Sequence, residues 1–371
     1  MVDSNDSPKL KLVAACEQCG EPVGASEGRD QSLCANCFSS QSPDKLQANA
    51  NALYSAEPHS ASDEPQLDDC QKPEPLFDED VPDFYEILEV IPTCAHGKAF
   101  IVHDNNMNAP LLLRFVTIGV ARLTGGLPIE TVANLLVQQD HPHLTTVYDW
   151  KNHKSKNYLI LDPPPQKNLE TVIQNEGFLD LPRAIDVFIQ VCEALEVLHK
   201  ISVVHGHIRP RSIGIVEQSK TVDTVKVTNF SITSISSNNI EQPVKVSRNY
   251  TCNDIFYMSP EEIRGDVPSI GSDIYSLGCV IFHSITGKPV YRGRTVDEVR
   301  NLHLEPKPAE FRRRYEIPAH VEQVVLKMLE NDPALRYKSV NGVRRDLERL
   351  RDNKAPLLED KWKTWMTYLG Q

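Results

Sequence analysis

The chain has 371 residues and a net charge of −12, with 40% apolar and 24% charged residues. This length allows one two-lobed domain with a small appendage, and the composition is that of an ordinary globular protein. The negative charge argues against a general nucleic-acid-binding protein. No run of about 18 apolar residues, and no apolar secretory signal at the N-terminus, is present. We therefore expect a cytoplasmic protein that binds neither nucleic acid nor membrane.

Four of the nine cysteines form two Cys-x-x-Cys pairs near the N-terminus, separated by fourteen residues. Two such turns facing each other provide a tetrahedral set of four sulfur ligands for Zn²⁺. A pair of redox-active motifs is the alternative, but no βαβ pattern surrounds either pair. We predict a zinc-ribbon-like module over residues 1–40, in which metal binding supplies the folding energy, with the ligands Cys16, Cys19, Cys34 and Cys37.

Residues 41–80 are rich in Ser, Asp, Glu and Pro. Ten acidic residues and one lysine lie between Glu57 and Asp83, so this stretch accounts for most of the net charge. Such a composition cannot bury enough apolar surface to offset the entropy of ordering. We predict a flexible acidic linker.

After residue 81 the pattern becomes that of a folded domain. Four short runs rich in apolar and β-branched residues predict strands, and LPIETVANLLVQQ between the third and fourth predicts a helix. The long segments LPRAIDVFIQVCEALEVLHK and SDIYSLGCVIFHSIT predict two buried helices. Strands followed by helices indicate an α+β architecture with an N-lobe at 84–162 and a C-lobe at 165–353.

Residues 354–371 form the last predicted segment. Its large apolar side chains recur at helical spacing, which predicts an amphipathic helix. We expect this helix to pack on the helical lobe, and binding of a partner protein is the alternative. The residues concerned are Trp362, Trp365, Met366 and Leu369.

Three motifs in order, YMSPEEIRG, SDIYSLG and NDPALRYKS, carry a resemblance to a known family. Residues 84–350 resemble bacterial serine/threonine kinases of the eukaryotic type, which implies a bilobal kinase-like fold over 81–353. The resemblance implies that Glu261 of the first motif pairs with Arg336 of the third. It also implies that Asp273 holds the backbone of the catalytic loop.

The nucleotide-binding motifs of that family are altered here. The glycine-rich loop aligns with residues 92–97, of which only Gly97 is a glycine. The strand lysine that contacts phosphates aligns with Arg114, which keeps the charge with a different geometry. Its helix glutamate aligns with Val132. Three prolines at 163–165 remove N–H donors from the segment that would face adenine. The resemblance thus leaves a remnant nucleotide site at Gly97 and Arg114.

The catalytic motifs are altered as well. The position of the aspartate that accepts the substrate proton carries His207, and the following lysine position carries Arg209. The two metal-ligand positions carry Ser212 and Asn229. Because magnesium prefers anionic oxygen ligands, we do not expect binding of ATP with Mg²⁺.

Together these substitutions predict a pseudokinase with a structural Zn²⁺, which binds other proteins as a scaffold or regulatory module in bacterial signalling. A nucleotide-binding switch is the first alternative. A weak or atypical ATP-dependent phosphotransferase is the second, because His207 could act as a base near neutral pH. A metal site built on His205 and His207 is a weaker interpretation, since no carboxylate accompanies them in the loop.

Overall fold

The computed structural model describes residues 81–91, 99–116, 129–154, 156–219, 222–230, 233–234, 254–305 and 317–358. The predicted zinc module and acidic linker, Gly97, and residues 359–371 of the predicted C-terminal helix lie outside these residues. No helix in the described part of the chain is long and apolar enough to cross a membrane.

In the described residues of the N-terminal lobe, five strands form an antiparallel sheet that one helix accompanies. Their bounds are β1 Tyr85–Ile91, β2 Ala99–Asp104, β3 Ala109–Val116, α1 Ile129–Val137, β4 Val147–His153 and β5 Lys156–Leu161. The strand order is β1-β2-β3-β5-β4, and the helix contacts β4. Four of the strands and the helix correspond to the runs from which they were predicted. The strand β4 was not predicted, because its residues VYDWKNH are mostly polar and only partly buried.

The central strand β3 is apolar on both faces because both faces are covered. Leu111, Leu113 and Phe115 belong to a small cluster within the lobe. Leu112, between them, belongs to the main core that continues into the helical lobe. Period-two alternation therefore sends neighbouring residues to two different apolar environments. Arg114 is on the same face as Leu112, and so faces the junction of the lobes.

The second lobe is mainly helical and contains most of the core. The helices in its described residues are α2 Leu169–Glu176, α3 Leu181–Lys200, α4 Pro260–Arg264, α5 Ile270–Thr286, α6 Val296–Leu304, α7 Ala319–Met328 and α8 Val340–Arg351. In α3 the apolar face predicted from the sequence, which runs from Ile185 to Leu198, is buried. The helix α5 is buried on nearly every side, and a Cβ added at Gly278 would lie 2.9 Å from Met328 Cβ. Glycine therefore lets α5 and α7 approach closely.

Short strands and 3₁₀ turns lie near the junction of the two lobes and flank the catalytic-loop segment, residues 205–212. These elements are β6 Lys167–Asn168, β7 Val203–Val204, β8 Ile213–Ser219, β9 Val222–Val227, β10 Thr233–Ser234, and the 3₁₀ turns Pro210–Ser212, Asp254–Tyr257 and Pro333–Leu335. The short strands form two small sheets with the orders β6-β8-β9 and β10-β7. Thr145 N donates to Val227 O at 2.9 Å and Val227 N donates to His143 O at 2.8 Å, which joins the segment between α1 and β4 to β9.

Candidate active site

The loop between β7 and the Pro210–Ser212 turn is held by the carboxylate of Asp273, in the first turn of α5. Its Oδ2 accepts a hydrogen bond from His205 N and its Oδ1 from Gly206 N, both at 2.8 Å. His199 Nε2 lies 2.8 Å from Oδ2 as well. Gly206 has φ +65°, a left-handed conformation that glycine adopts without strain. A buried carboxylate with three partners thus sets the path of the loop.

His205 is a buried structural residue. Its Nε2 lies 3.0 Å from Thr228 O, and its Nδ1 accepts from His207 N at 3.2 Å. Burial lowers the pKa of His205 to about 4, so the ring is neutral at pH 7. A neutral ring with Nε2 protonated satisfies both contacts. His205 therefore orients the backbone of the next residues and does not carry a charge.

His207 and Arg209, at the general-base and lysine positions, both turn toward one carboxylate. Arg209 Nη1 donates to Asp254 Oδ1, and His207 Nε2 lies 3.6 Å from the same oxygen. The exposed fractions of the three side chains are 8% for His207, 14% for Arg209 and 2% for Asp254. A pocket of about 250 Å³, including its open side, adjoins the cluster and Tyr257. This is small for a ligand site.

Arg114, on β3, is buried at the junction of the lobes. Its Nη1 donates to Phe230 O at 3.0 Å, and in the described part of the chain it forms no ion pair with a carboxylate. Val132, at the aligned glutamate position, is fully buried. Burial, and secondly the charge of Arg209, lower the pKa of Arg114 to about 10. The guanidinium therefore stays charged at neutral pH and is held by a main-chain carbonyl.

The two positions aligned with metal ligands carry neutral groups. Ser212 Oγ donates to Arg209 O at 2.8 Å and accepts from Arg209 N at 3.0 Å, so it closes a turn. Asn229 has a left-handed φ of 59°. Among the described residues no group of three His, Cys, Asp or Glu side chains could hold a metal ion. A hydroxyl engaged in a turn and a neutral amide do not fit magnesium, which prefers carboxylate oxygens.

Residues 162–165, which directly follow β5, offer no backbone N–H to a ligand. Asp162 N donates to Thr146 O at 3.1 Å, and the next three residues are prolines. A Cβ added at Gly214, on β8, would lie 2.6 Å from Pro165 Cγ and 2.7 Å from Pro165 Cδ. The pyrrolidine ring thus fills the space above Gly214, and a larger residue at 214 would require Pro165 to move.

Glu261 and Arg336 form a buried ion pair within the helical lobe. Arg336 Nη1 donates to Glu261 Oε1 at 2.7 Å and Nη2 donates to Oε2 at 2.8 Å. Ser272 Oγ donates to Oε1 at 2.8 Å. The guanidinium also donates to three main-chain carbonyls, of Gly271, Glu330 and Asn331. The pair therefore connects α4, α5 and the turn before α8.

The structure brings some of the residues singled out in the sequence together and leaves others apart. Arg209 and His207 converge on the carboxylate of Asp254, whereas Arg114 donates a hydrogen bond to Phe230 O. The sequence reasoning missed Asp254 and the contact of Pro165 with Gly214. A general signal for an acid such as Asp254 existed, because histidine replaces the acid at position 207 while Arg209 keeps the positive charge of the lysine position. The contact between Pro165 and Gly214 depends on how two strands approach and had no local signal.

Comparison with known proteins agrees with this architecture. The family described as "Protein kinase domain" matches residues 129–346. The serine/threonine-protein kinase PknB of Mycobacterium tuberculosis is 27% identical over 283 residues, which cover 74% of this chain and 44% of PknB. PrkC of Bacillus subtilis is 26% identical over 289 residues, which cover 76% of this chain and 43% of PrkC. The chain thus spans less than half of the length of these relatives.

Among solved structures, that of Rad53 residues 1–466 in complex with AMP-PNP superposes with a TM-score of 0.55. The sequence identity is 17%, and the match covers 71% of this chain and 64% of that one. At this identity the likeness concerns the fold alone. The β-sheet N-lobe, the helical C-lobe and the family match over 129–346 agree with each other, and the chain belongs to the protein kinase domain family.

Proposed function

We propose that this chain is a catalytically impaired serine/threonine-kinase-like domain that acts as a scaffold or regulatory binding module. The observation that carries the proposal is the contact of His207 and Arg209 with Asp254. In an active kinase the loop aspartate accepts the proton of the substrate hydroxyl. Here an imidazole stands at that position, and a carboxylate of the protein itself faces it.

The size of the effect follows from the groups that are replaced. A positioned general base typically contributes about 10²–10⁴ in rate. Loss of metal ligands removes charge stabilisation of several kcal/mol more. These two contributions are not additive. Active kinases turn over at only about 1–100 s⁻¹, so a domain that lacks both the general base and the metal ligands retains very little phosphotransfer.

The segment at 162–165 supports the same proposal. Its backbone has no N–H left for an adenine, and Pro165 lies against Gly214. The relatives named above are serine/threonine-protein kinases by name, and for this chain only the likeness of its domain to theirs is used. The retained Asp273 and Glu261 contacts support a domain whose fold is kept while its chemistry is lost.

A nucleotide-binding switch is the second candidate, and one observation favours it. Arg114 remains charged and lies near Arg209, whose charge contributes to its lowered pKa. Two guanidinium groups of this kind could attract the phosphates of a nucleotide without any magnesium ligand. If the bound nucleotide were also a phosphate donor, the chain would be a weak or atypical ATP-dependent phosphotransferase.

Thermal unfolding with nucleotides tests the proposal. The full chain is melted with ATP or ADP, each with and without Mg²⁺ or Mn²⁺, and compared with an Arg114→Ala variant. A ligand at 100 times its Kd stabilises by about 2.7 kcal/mol, which raises the melting temperature by several degrees. We expect no shift with any nucleotide. A shift that disappears in Arg114→Ala would favour the switch.

A phosphotransfer assay separates the catalytic alternative. The full chain is incubated with labelled ATP and a general protein substrate, in parallel with Arg114→Ala and His207→Ala. We expect all three proteins to give the background signal. Transfer by the native chain that both substitutions abolish would refute the proposal.

The N-terminal part of the proposal concerns metal. Cys16, Cys19, Cys34 and Cys37 hold one structural Zn²⁺, and the acidic linker lets this module and the kinase-like domain contact separate protein partners in bacterial cytoplasmic signalling. Metal analysis of the purified chain should give one zinc per chain. Cys34→Ser should lose it, whereas Cys192→Ser, at a buried cysteine of the helical lobe, should retain it.

A further inference from the structure

An apolar groove lies between α3, α5, α7 and α8 in the helical lobe. Its volume is about 290 Å³ including the open side, and the described residues that line it are all apolar. Ile281 and Ile285, from the last turns of α5, belong to its wall. Asp273, which holds the catalytic loop, is in the first turn of the same helix. A rise of 1.5 Å per residue places Ile285 about 18 Å along the helix from Asp273, so the groove is separate from the candidate active site.

Apolar side chains at the mouth of this groove are only partly covered. The partly buried members of its lining are Leu181, Ile285 and Leu350, and the others are buried. Phe178 is 58% exposed and adds apolar surface near the mouth. Its turn is held to the end of α5, because Leu179 N donates to Ser284 O at 2.7 Å. Adjacent apolar side chains of this kind indicate a surface that another apolar group covers.

The described part of the chain ends beside the same groove. After α8 the backbone turns back along that helix, and both Leu357 N and Leu358 N donate to the carboxylate of Asp346, at 2.6 and 3.0 Å. Leu358 is buried. Leu347, the neighbour of Asp346 in α8, lines the groove. Residues 359–371, here called the C-terminal segment, therefore start at the helix that forms one side of the groove.

The C-terminal segment has apolar side chains that fit such a groove and a connection that is long enough to reach it. Its large apolar residues recur at the spacing of one helical face. They are Trp362, Trp365, Met366 and Leu369. Trp362 is four residues beyond Leu358, and four extended residues span at most about 14 Å. Because the diameter of a helix is about 10–12 Å, the segment can pass around α8 to the groove.

The size of the groove favours this segment over a small ligand or a separate protein. Ligand sites have volumes of about 300–1,000 Å³, whereas the space here suits one or two side chains. A separate protein would also lose translational and rotational freedom on binding. A segment that is joined to α8 by a few residues avoids most of this loss, because its effective concentration is on the order of millimolar.

We propose that the C-terminal segment forms a short amphipathic helix that covers this groove, with Trp362 and Trp365 over the mouth. An isolated helix of this length is marginal in water, so its formation depends on the apolar contacts with the groove. The inference goes beyond the proposed function and does not rest on it, since the groove and the catalytic loop lie at opposite ends of α5.

Tryptophan fluorescence of the full chain tests the inference. The chain has three tryptophans, so all tryptophan emission of a Trp150→Phe variant comes from the C-terminal segment. We expect acrylamide to quench this emission several-fold less than in the same chain unfolded in urea. Adding Ile285→Lys at the mouth of the groove should raise quenching close to the unfolded value. Met107→Lys is the matched control, because Met107 is a 61% exposed apolar residue between β2 and β3, and it should leave quenching unchanged.

Several results would overturn the inference. Quenching in Trp150→Phe that equals that of the unfolded chain would show that the segment is not docked. Quenching that Ile285→Lys leaves unchanged, or that Met107→Lys raises equally, would show that the segment does not occupy this groove. Protection that is lost on dilution, together with a dimer in sedimentation, would assign the groove to a second copy of the chain.

Hydrogen exchange makes the test independent of whether Ile285→Lys folds. In the full chain, Trp362→Ser/Trp365→Ser should accelerate exchange of the amides at 185–188 and 281–286, which belong to the helices around the groove. The amides of β2 and β3 should stay unchanged. Equal exchange of the native chain and the double variant at 185–188 and 281–286 would count against a docked segment.

Discussion

The buried pair of Glu261 and Arg336 allows a quantitative test of what holds the helical lobe together. We consider Arg336→Met, which keeps an unbranched apolar stem and removes the charge. The side chain of Arg336 is 0% exposed and that of Glu261 is 10% exposed. The substitution therefore leaves Glu261 buried without its cation, and three main-chain carbonyls lose a donor.

Breaking one half of such a pair costs about 3–5 kcal/mol. If urea unfolding has a slope of about 3 kcal/mol per molar, the midpoint falls by between about 1 and 1.7 M. Arg300→Ala is the matched control, because Arg300 and Asp297 form an exposed pair and such pairs contribute about 0–1 kcal/mol. Far-ultraviolet circular dichroism in urea measures both variants. Equal losses in the two variants would refute the reasoning.

A double variant and the pH dependence separate the ion pair from simple packing. Arg336→Met/Glu261→Gln should be more stable than the sum of the single losses predicts, since neither charge remains buried alone. Burial raises the pKa of Glu261, but the hydrogen bonds and charge of Arg336 outweigh it and lower the pKa below 4.5. The pair therefore stabilises the fold above pH 4.5, and its contribution is lost as the pH falls through the folded pKa.

Three further substitutions test other contacts. Gly214→Ala should destabilise the fold by about 1–3 kcal/mol because its Cβ would meet Pro165, and Gly214→Ala/Pro165→Ala should recover part of this loss in urea unfolding. Arg114→Met should cost about 1–3 kcal/mol, because Phe230 O loses its donor, and a smaller loss in urea would show that water replaces it. Burial lowers the pKa of His303 to about 3, so the unfolded chain binds a proton between about pH 6.5 and 3 that the folded chain does not, and stability falls as the pH drops. In His303→Asn this slope should decrease by about 1.4 kcal/mol per pH unit, and an unchanged slope in unfolding at pH 4–6 would contradict the assignment.

The sequence predicted an element well where the spacing of its own apolar residues is enough to define it. The apolar face of α3 follows from period-3.6 spacing, and its residues from Ile185 to Leu198 are buried as predicted. The strand β3 was recognised as a run of apolar residues. Its two differently covered faces became visible only in the structure, because the partners of each face come from distant segments.

The site was predictable in its residue types and not in its contacts. The replacement of four catalytic positions is readable from the aligned motifs alone. Nothing local indicates that Arg114 bonds to Phe230 O, 116 residues away, or that Asp254 meets Arg209. These contacts depend on the path of the chain between the lobes. The cysteine module and Gly97 lie outside the described residues and remain predictions.

The retained and the replaced residues differ in what they do for the protein. Asp273 and Arg336 satisfy main-chain groups around them, so their loss would leave buried donors or acceptors unpaired. The substituted positions 207, 209, 212 and 229 lie where an active kinase depends on charge for chemistry and less on packing. Three of them have contacts within the chain: His207 and Arg209 face Asp254, and Ser212 closes a turn with Arg209. These side chains are therefore held in place by contacts within the chain, and this supports the proposal that the domain binds partners and does not transfer phosphate.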